Sequence, residues 1–320
     1  MDNVNLHRQQ TIKNVGFSTH SIIKETIRIP EIIPQWNPSR GYILKYSQKT
    51  NRDPNRCILF VHGGSFTKNQ PRDDTYQTLC VILSHLTSYD VYCPDYTLAP
   101  HATYPTQPNE ILNLTRYLSK TYNKIILGAD SAGGTIGLSC IISSPKLYFA
   151  SFFISPWIDL RNNSASYKTR AWSNTLRTGD PIFNQSTKTV KKYSDKLALE
   201  YLQFKNRLQD PIANPIKATD EALRKAPPIL IIGGDNEVLR NETLEFVSRA
   251  QQANQTTSFS LYDMMWHDFP LYYQTASKEM GEQAYHEIAA FCHGVKRSNS
   301  FSYQFQPKIP VVKANIYLKE

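Results

Sequence analysis

The sequence predicts an α/β fold, with a mostly parallel central sheet, helices on both faces and a helical cap. Short apolar runs recur along the chain, and segments with helical periodicity fill the gaps between them. Continuous apolar strands that alternate with helices are typical of a parallel sheet buried on both faces. The length of 320 residues suits one large α/β domain with an insertion.

The first 40 residues are polar with scattered apolar positions, and we expect an edge strand at 27–33. The other predicted strands are 42–46, 57–61, 91–93, 124–127, 149–154, 229–232 and 259–262. The predicted helices are 75–84, 109–118, 244–250 and 279–292.

The gap between the strands at 149–154 and 229–232 is too long for one crossover helix, which indicates an inserted subdomain. The predicted division is an N-terminal segment 1–40 that contributes to the cap, a core of 41–164 and 209–295, a helical cap insertion 165–208, and a C-terminal tail 296–320. The tail is polar apart from one apolar patch, and its role is not predicted.

Composition narrows the classes of function. The net charge is +9, but the basic residues are scattered and match no nucleic-acid motif, so we expect a solvated basic surface and no nucleic-acid partner. The five cysteines form no CxxC pair, which favours buried, reduced thiols and no zinc site. The chain starts without an apolar leader and has no run long enough to span a membrane. The expected location is therefore cytoplasmic. The sequence does not decide between a monomer and a homodimer.

The stretch GADSAGG, residues 128–134, follows an apolar strand and precedes a helix. A serine at such a turn projects its hydroxyl above the carboxyl edge of the sheet, and its neighbours must be small because strand and helix backbones nearly touch there. Ser131 is therefore a candidate nucleophile. The alternative is an ordinary strand–helix turn, although no GxGxxG motif or P-loop lysine is present. Asp130 is expected to make local turn and loop contacts.

A serine nucleophile needs an oxyanion hole, a base and an acid, and each has a candidate in the required order. His62-Gly63-Gly64-Ser65 follows the strand 57–61, and its glycines free the backbone N–H groups to face a substrate oxygen. His267 follows the last strand and is the candidate base. Asp235 and Glu237 both lie where the acid belongs, and the residues alone leave both open.

These pieces resemble the hormone-sensitive-lipase-like branch of the α/β-hydrolase fold, from about residue 55 to 295. His62-Gly63-Gly64-Ser65 is similar to that family's His-Gly-Gly-Gly, and Asp130-Ser131-Ala132-Gly133-Gly134 to its Gly-Asp-Ser-Ala-Gly-Gly. The remaining similar segments are Asp95-Tyr96-Thr97-Leu98-Ala99-Pro100, Ser155-Pro156-Trp157-Ile158-Asp159 and Asp210-Pro211 through Asn214-Pro215. Each motif is weak alone, but five in order are specific.

The resemblance implies site roles. It registers Glu237 on the family's catalytic aspartate, which favours Glu237 over Asp235 as the acid. It implies an oxyanion hole formed by the N–H groups of Gly63, Gly64 and Ala132. The sequence departs from the family pattern in having Ser65, Ala129 and Thr97 where the family has glycine, glycine and arginine. The cap would cover the site, and its aromatic residues are expected to line an apolar pocket or simply to pack the cap. They are Tyr167, Trp172 and Phe183.

The expected activity is hydrolysis of a small lipophilic ester with a short acyl group such as acetyl, through an acyl-enzyme and without metal or organic cofactor. Steryl acetyl hydrolysis and aryl-formamide or amide hydrolysis are the alternatives within the enzyme class. The alternative of another class is a hydrolase-fold protein that binds a small molecule without catalysis, as plant gibberellin receptors do. Such proteins typically lose the histidine, and this sequence keeps a candidate.

Overall fold

The computed structural model describes residues 21–29, 33, 41–171, 179–253, 255–272 and 278–295. Eight strands form one sheet in the order β1-β2-β4-β3-β5-β6-β7-β8. The strands are β1 Ile22–Arg28, β2 Tyr42–Gln48, β3 Arg56–Val61, β4 Asp90–Pro94, β5 Lys124–Asp130, β6 Ala150–Ile154, β7 Ile229–Gly234 and β8 Thr257–Tyr262. Strands β3 to β8 are parallel, and β1 and β2 are antiparallel additions at one edge. The predicted fold class is confirmed.

The helices alternate with these strands along the chain. Eight are described: α1 Asp74–Thr87, α2 Thr106–Leu118, α3 Ser131–Ser143, α4 Ala165–Arg170, α5 Thr187–Leu202, α6 Asp220–Lys225, α7 Arg240–Gln252 and α8 Lys278–Gly294. All four predicted helices are present, each a few residues longer than its apolar pattern, because periodicity marks the buried face and not the solvated ends.

Both faces of the sheet are buried, as the continuous apolar strands predict. In β3, Cys57, Leu59 and Val61 pack into the core on the side of α2, α3 and α7. Ile58 and Phe60, which alternate with them, pack on the other side against α1 and α8. All five cysteines are buried and unpaired. None of the described helices combines the length and apolar character needed to cross a bilayer.

The N-terminal segment joins the sheet. The predicted edge strand at 27–33 lies instead at Ile22–Arg28, where it pairs antiparallel with β2. The sequence misplaced this strand because β1 is mostly exposed, so that a run of buried apolar residues does not mark its bounds. Residues 1–20 and 34–40 lie outside the described residues, so the contribution of segment 1–40 to the cap stays a prediction.

The insertion after β6 contains α4 and α5, which lie above the carboxyl edge of the sheet. Tyr201 of α5 stacks on Phe66 with ring centroids 4.0 Å apart, and its carbonyl accepts a hydrogen bond from the Tyr104 N–H at 2.8 Å. This helix is therefore tied to the loops that follow β3 and β4. Trp172 and the tail 296–320 lie outside the described residues.

Candidate active site

The carboxyl ends of four parallel strands bring the candidate residues together. Ser131 directly follows β5, and the loops after β3, β7 and β8 carry Gly64, Glu237 and His267. Loops at this edge of an open α/β sheet are the usual place for a ligand site. Residues separated by up to 203 positions in the sequence, Gly64 and His267, therefore share one site.

Ser131 lies at the turn between β5 and α3 with a left-handed φ of 47°. A Cβ on Gly133 would meet the carbonyl oxygens of Val61 and His62, and one on Gly134 would lie 2.6 Å from the Cβ of Pro156. These contacts explain the small residues after the serine, because the start of α3 packs directly on neighbouring backbone. Ala129, where the family has glycine, is fully buried within β5.

His267 contacts the serine. Its Nε2 lies 2.9 Å from the Ser131 Oγ, within hydrogen-bonding distance, and both side chains are largely buried. The ring is held from above by Phe183 of the cap, which packs edge-to-face with centroids 5.3 Å apart. A neutral imidazole in this place can accept the hydroxyl proton.

Glu237 faces the other ring nitrogen. Its Oε2 lies 3.7 Å from the His267 Nδ1, longer than a direct hydrogen bond, although such contacts often tighten only when substrate binds. Burial raises the pKa of Glu237, and the adjacent imidazole opposes that rise. The carboxylate fits because residue 233 is glycine, since a Cβ there would lie 2.9 Å from the Glu237 Oε1.

Asp235 points elsewhere. Its carboxylate pairs with the Arg240 Nε at 2.7 Å and with the Arg170 Nη2 at 3.6 Å, and its side chain is 31% exposed. The structure therefore brings Glu237, and not Asp235, to the imidazole.

The loop after β3 differs from the expected oxyanion hole. The Gly63 N–H donates to the Asp130 Oδ1 at 2.8 Å and is also 3.1 Å from the Tyr76 Oη, so it faces the protein interior. Gly64 and Ser65 line the cavity beside Ser131, and their N–H groups donate no hydrogen bond to any described residue. The prediction of Gly63 as an oxyanion donor is therefore corrected, because the buried Asp130 carboxylate already holds its N–H.

Gly64 needs to be glycine, whereas Ser65 does not. Gly64 has a φ of 105°, and a Cβ there would meet the carbonyl of Lys68. Ser65 has a left-handed φ of 54°, which a non-glycine residue can adopt at moderate cost. Ser65 aligns with the third glycine of the family's His-Gly-Gly-Gly motif. At that position the backbone N–H is the group that can face a substrate oxygen.

His62 and Asp130 support this loop. The His62 ring stacks on Tyr96 at 4.3 Å, and the Tyr96 Oη donates to the His62 carbonyl at 2.9 Å. Asp130 accepts from Gly63 and, at 3.0 Å, from the Tyr76 Oη. Burial raises the pKa of Asp130 well above its usual value, with nearby Asp268 adding to the effect. Asp130 thus makes the local loop contacts that the sequence predicted.

A cavity of about 480 Å³ opens from Ser131 and His267 toward the cap. Its apolar wall consists largely of Trp157, Tyr167, Ile182, Phe183, Tyr193 and Leu197. Tyr167 and Phe183, two of the three cap aromatics named from the sequence, therefore do line the pocket. The volume is typical of a small-molecule site.

Sequence reasoning missed two charged residues of this cavity, Lys68 and Asp268. The Asp268 Oδ2 lies 3.1 Å from the His267 Nε2, on the same side as the serine. Only its position directly after the candidate base could have indicated it.

Comparisons with known proteins identify the fold family and its relatives. A family model described as alpha/beta hydrolase fold matches residues 58–271. An esterase from Acinetobacter venetianus is 28% identical over 255 residues, 76% of each chain, and an acetyl-hydrolase from Streptomyces hygroscopicus is 25% identical over 75% of this chain and 76% of its own. A putative steryl acetyl hydrolase, mug81, from Schizosaccharomyces pombe is 26% identical over 66% of this chain and 58% of its own.

Solved structures show the same fold. The crystal structure of an esterase from the bacterial hormone-sensitive lipase family superposes with a TM-score of 0.70, at 22% identity, over 90% of this chain and 97% of its own. An esterase from Pyrobaculum calidifontis superposes with a TM-score of 0.71, at 21% identity, over 89% and 86%. Both matches agree with the fold class that the sequence predicts.

Proposed function

Because this chain belongs to the α/β-hydrolase fold family, we propose that it is a serine carboxylic ester hydrolase. The observation that carries the proposal is the 2.9 Å contact between the Ser131 Oγ and the His267 Nε2, with Glu237 on the opposite ring nitrogen. The three side chains follow one another in the chain order Ser, acid, His that this fold uses.

The proposed reaction has two halves. Ser131 attacks the ester carbonyl while His267 accepts its proton, and Glu237 orients the ring and stabilises the imidazolium. His267 then protonates the leaving alcohol, and water hydrolyses the acyl-enzyme by the same steps. The N–H groups of Gly64, Ser65 and Ala132 hold the oxyanion, with Ala132 in the first turn of α3, where N–H groups lack helical partners.

The proposed substrate is a small lipophilic ester with a short acyl group. The largely apolar cavity of about 480 Å³ supports a lipophilic ligand, and the names of the acetyl-hydrolase and steryl acetyl hydrolase relatives support an acetyl group. No cofactor takes part in the proposed chemistry.

The test is hydrolysis of p-nitrophenyl acetate, butyrate and octanoate by the pure protein. We expect a rate that falls beyond short acyl chains, and Ser131→Ala should reduce kcat by about 10⁴-fold or more. Ser119→Ala, at an exposed serine outside the site, is the matched control and should match wild type.

Retention of wild-type rates by Ser131→Ala would overturn the mechanism. Labelling of Ser131 by a fluorophosphonate probe gives an independent readout, since it requires an activated serine but no particular ester. Absence of both labelling and hydrolysis would instead favour the non-catalytic binding protein. Turnover of amides or aryl-formamides in preference to esters would replace the proposed substrate class.

A further inference from the structure

Asp268 places a carboxylate beside the reacting nitrogen of His267. Its Oδ2 lies 3.1 Å from the His267 Nε2, which is also 2.9 Å from the Ser131 Oγ. The backbone of Asp268 has a left-handed φ of 55°, and its N–H donates to the Ser155 Oγ at 3.0 Å. The carboxylate is thus held at the site by its own backbone and lines the substrate cavity.

The rest of this carboxylate has no compensating contact. Its side chain is only 11% exposed, and Oδ1 is buried without a hydrogen-bond partner among the described residues. A carboxylate in such a place is costly unless a positive charge lies next to it. Among the described side chains in contact with it, the imidazolium form of His267 is the group that supplies that charge.

We propose that Asp268 is a positioning residue that stabilises the imidazolium of His267 in the resting enzyme and so sets the pH above which the enzyme becomes active. This inference rests on the proposed ester hydrolase function. It assigns Asp268 a role distinct from that of Glu237, because the two carboxylates contact opposite nitrogens of the ring.

Asp268 and Ser131 compete for the same nitrogen, Nε2, and this competition determines how Asp268 changes the pH dependence of activity. A protonated Nε2 donates to Asp268 and cannot accept a proton from Ser131. Only neutral His267, with its proton on Nδ1 toward Glu237, leaves a lone pair on Nε2 for the serine. Loss of the Nε2 proton therefore removes the hydrogen bond to Asp268 and leaves Nε2 free to act as the base.

The charged groups around the His267 ring also favour its protonated form. Burial disfavours the charged ring, but Asp268, then Glu237 and Asp180, outweigh it and raise the pKa of His267 well above its usual value. The other titratable groups that face the ring or Asp268 are Asp130, Tyr76 and Tyr272. Lys68 lines the same cavity, with its Nζ over the Tyr193 ring, but no described lysine or arginine lies within ion-pair distance of His267 or Asp268.

The variant Asp268→Asn removes the charge with little change in shape, and asparagine is among the residues that best tolerate a left-handed φ. The experiment measures kcat/KM for p-nitrophenyl acetate from pH 5 to 10. We expect the acid limb of the profile to move down by about one pH unit or more, since an opposite charge at this distance shifts a pKa by that much. At a pH below the wild-type limb, the variant should be about tenfold faster than wild type.

Asp263→Asn is the matched control, because it makes the same change at an exposed position of the same loop. Its acid limb should coincide with that of wild type. An unchanged acid limb in an active Asp268→Asn protein, or an equal shift in both variants, would overturn the proposal.

A second measurement needs neither turnover nor a folded Asp268→Asn protein. NMR titration of the wild-type His267 imidazole, assigned from the spectrum of His267→Gln, should give a pKa above about 6.5, the value for an unperturbed histidine. A His267 that titrates at or below that value would overturn the role of Asp268 and leave the ester hydrolase proposal intact. By contrast, an inactive wild-type protein with an unreactive Ser131 would contradict the ester hydrolase proposal itself.

Discussion

Two acidic side chains lie two positions apart after β7, and their surroundings give them different roles. Glu237 is fully buried against Gly233 and faces His267, whereas Asp235 is partly exposed between two arginines. A buried carboxylate next to an imidazole can fix its tautomer, but one neutralised by arginines mainly holds the loop.

Substitution of each acid by its amide separates the two roles. Glu237→Gln should lower kcat by about 10³–10⁴-fold, because the amide no longer fixes the tautomer or stabilises the imidazolium. Asp235→Asn should change kcat less than about threefold and lower only the stability of the loop, by on the order of 1 kcal/mol. Steady-state kinetics on the two variants checks this, and the reverse pattern would make Asp235 the triad acid.

At the scale of elements, helix α1 supports the site from behind. Tyr76 of α1 donates to the Asp130 Oδ2, and the Asp130 Oδ1 accepts from the Gly63 N–H. The last residue of β5 thus joins α1 to the loop that carries Gly64 and Ser65. Through these contacts α1 positions the loop whose Gly64 and Ser65 line the cavity.

Loss of the Tyr76 hydroxyl should therefore affect both folding and catalysis. Tyr76→Phe leaves a buried Asp130 oxygen without its donor, which should lower the free energy of unfolding by about 1–3 kcal/mol. A looser oxyanion loop should lower kcat about tenfold with a smaller change in KM, because the oxyanion contacts strengthen in the transition state.

Urea unfolding and steady-state kinetics measure the two effects. Tyr117→Phe is the matched control, since Tyr117 is half-buried on α2 and does not line the cavity. A normal kcat in a destabilised Tyr76→Phe protein would mean that the hydroxyl is needed only for folding.

For the whole molecule, buried carboxylates make stability depend on pH. Asp130, Asp180, Glu237 and Glu242 are all fully buried. Burial raises the pKa of each, and that of Asp180 to about 7. Asp180 accepts hydrogen bonds from the N–H groups of Ile182 and Val238, so it joins the cap to the loop of Glu237.

Proton linkage determines whether stability rises or falls with pH. A carboxyl with a raised pKa binds its proton more tightly in the folded than in the unfolded chain, so it favours folding at low pH. Its contribution falls as the pH rises from about 4, where the unfolded group titrates, to the folded value. For Asp180 this window ends at about 7.

We expect the free energy of unfolding to be lower at pH 8 than at pH 5, by a few kcal/mol in total. Asp180→Asn should make this difference smaller, because asparagine does not titrate. Urea unfolding at both pH values measures it, with Asp195→Asn, a more exposed position on α5, as control. An equal pH dependence in wild type and Asp180→Asn would contradict the assignment.

The predictable part of this protein was carried by local patterns. Apolar runs and periodicity predicted seven strands of the sheet and four of its helices, because burial on both faces forces hydrophobic residues into those segments. Short motifs predicted Ser131 and the loop at 62–65 as candidates, because tight turns and close backbone approach restrict the residue types there, and the position after the last strand predicted His267. The mostly exposed strand β1 was misplaced, since little hydrophobicity marks it.

The sequence by itself determined the fold class and the candidate residues, because both depend on interactions between near neighbours in the chain. Only the tertiary structure decided which acid faces the imidazole, which N–H groups face the cavity, and where Asp268 lies. Those outcomes depend on contacts between the ends of different strands. The sequence does not distinguish Asp235, which pairs with arginines, from Glu237, which lies beside the imidazole. Their neighbours are determined only when the chain folds.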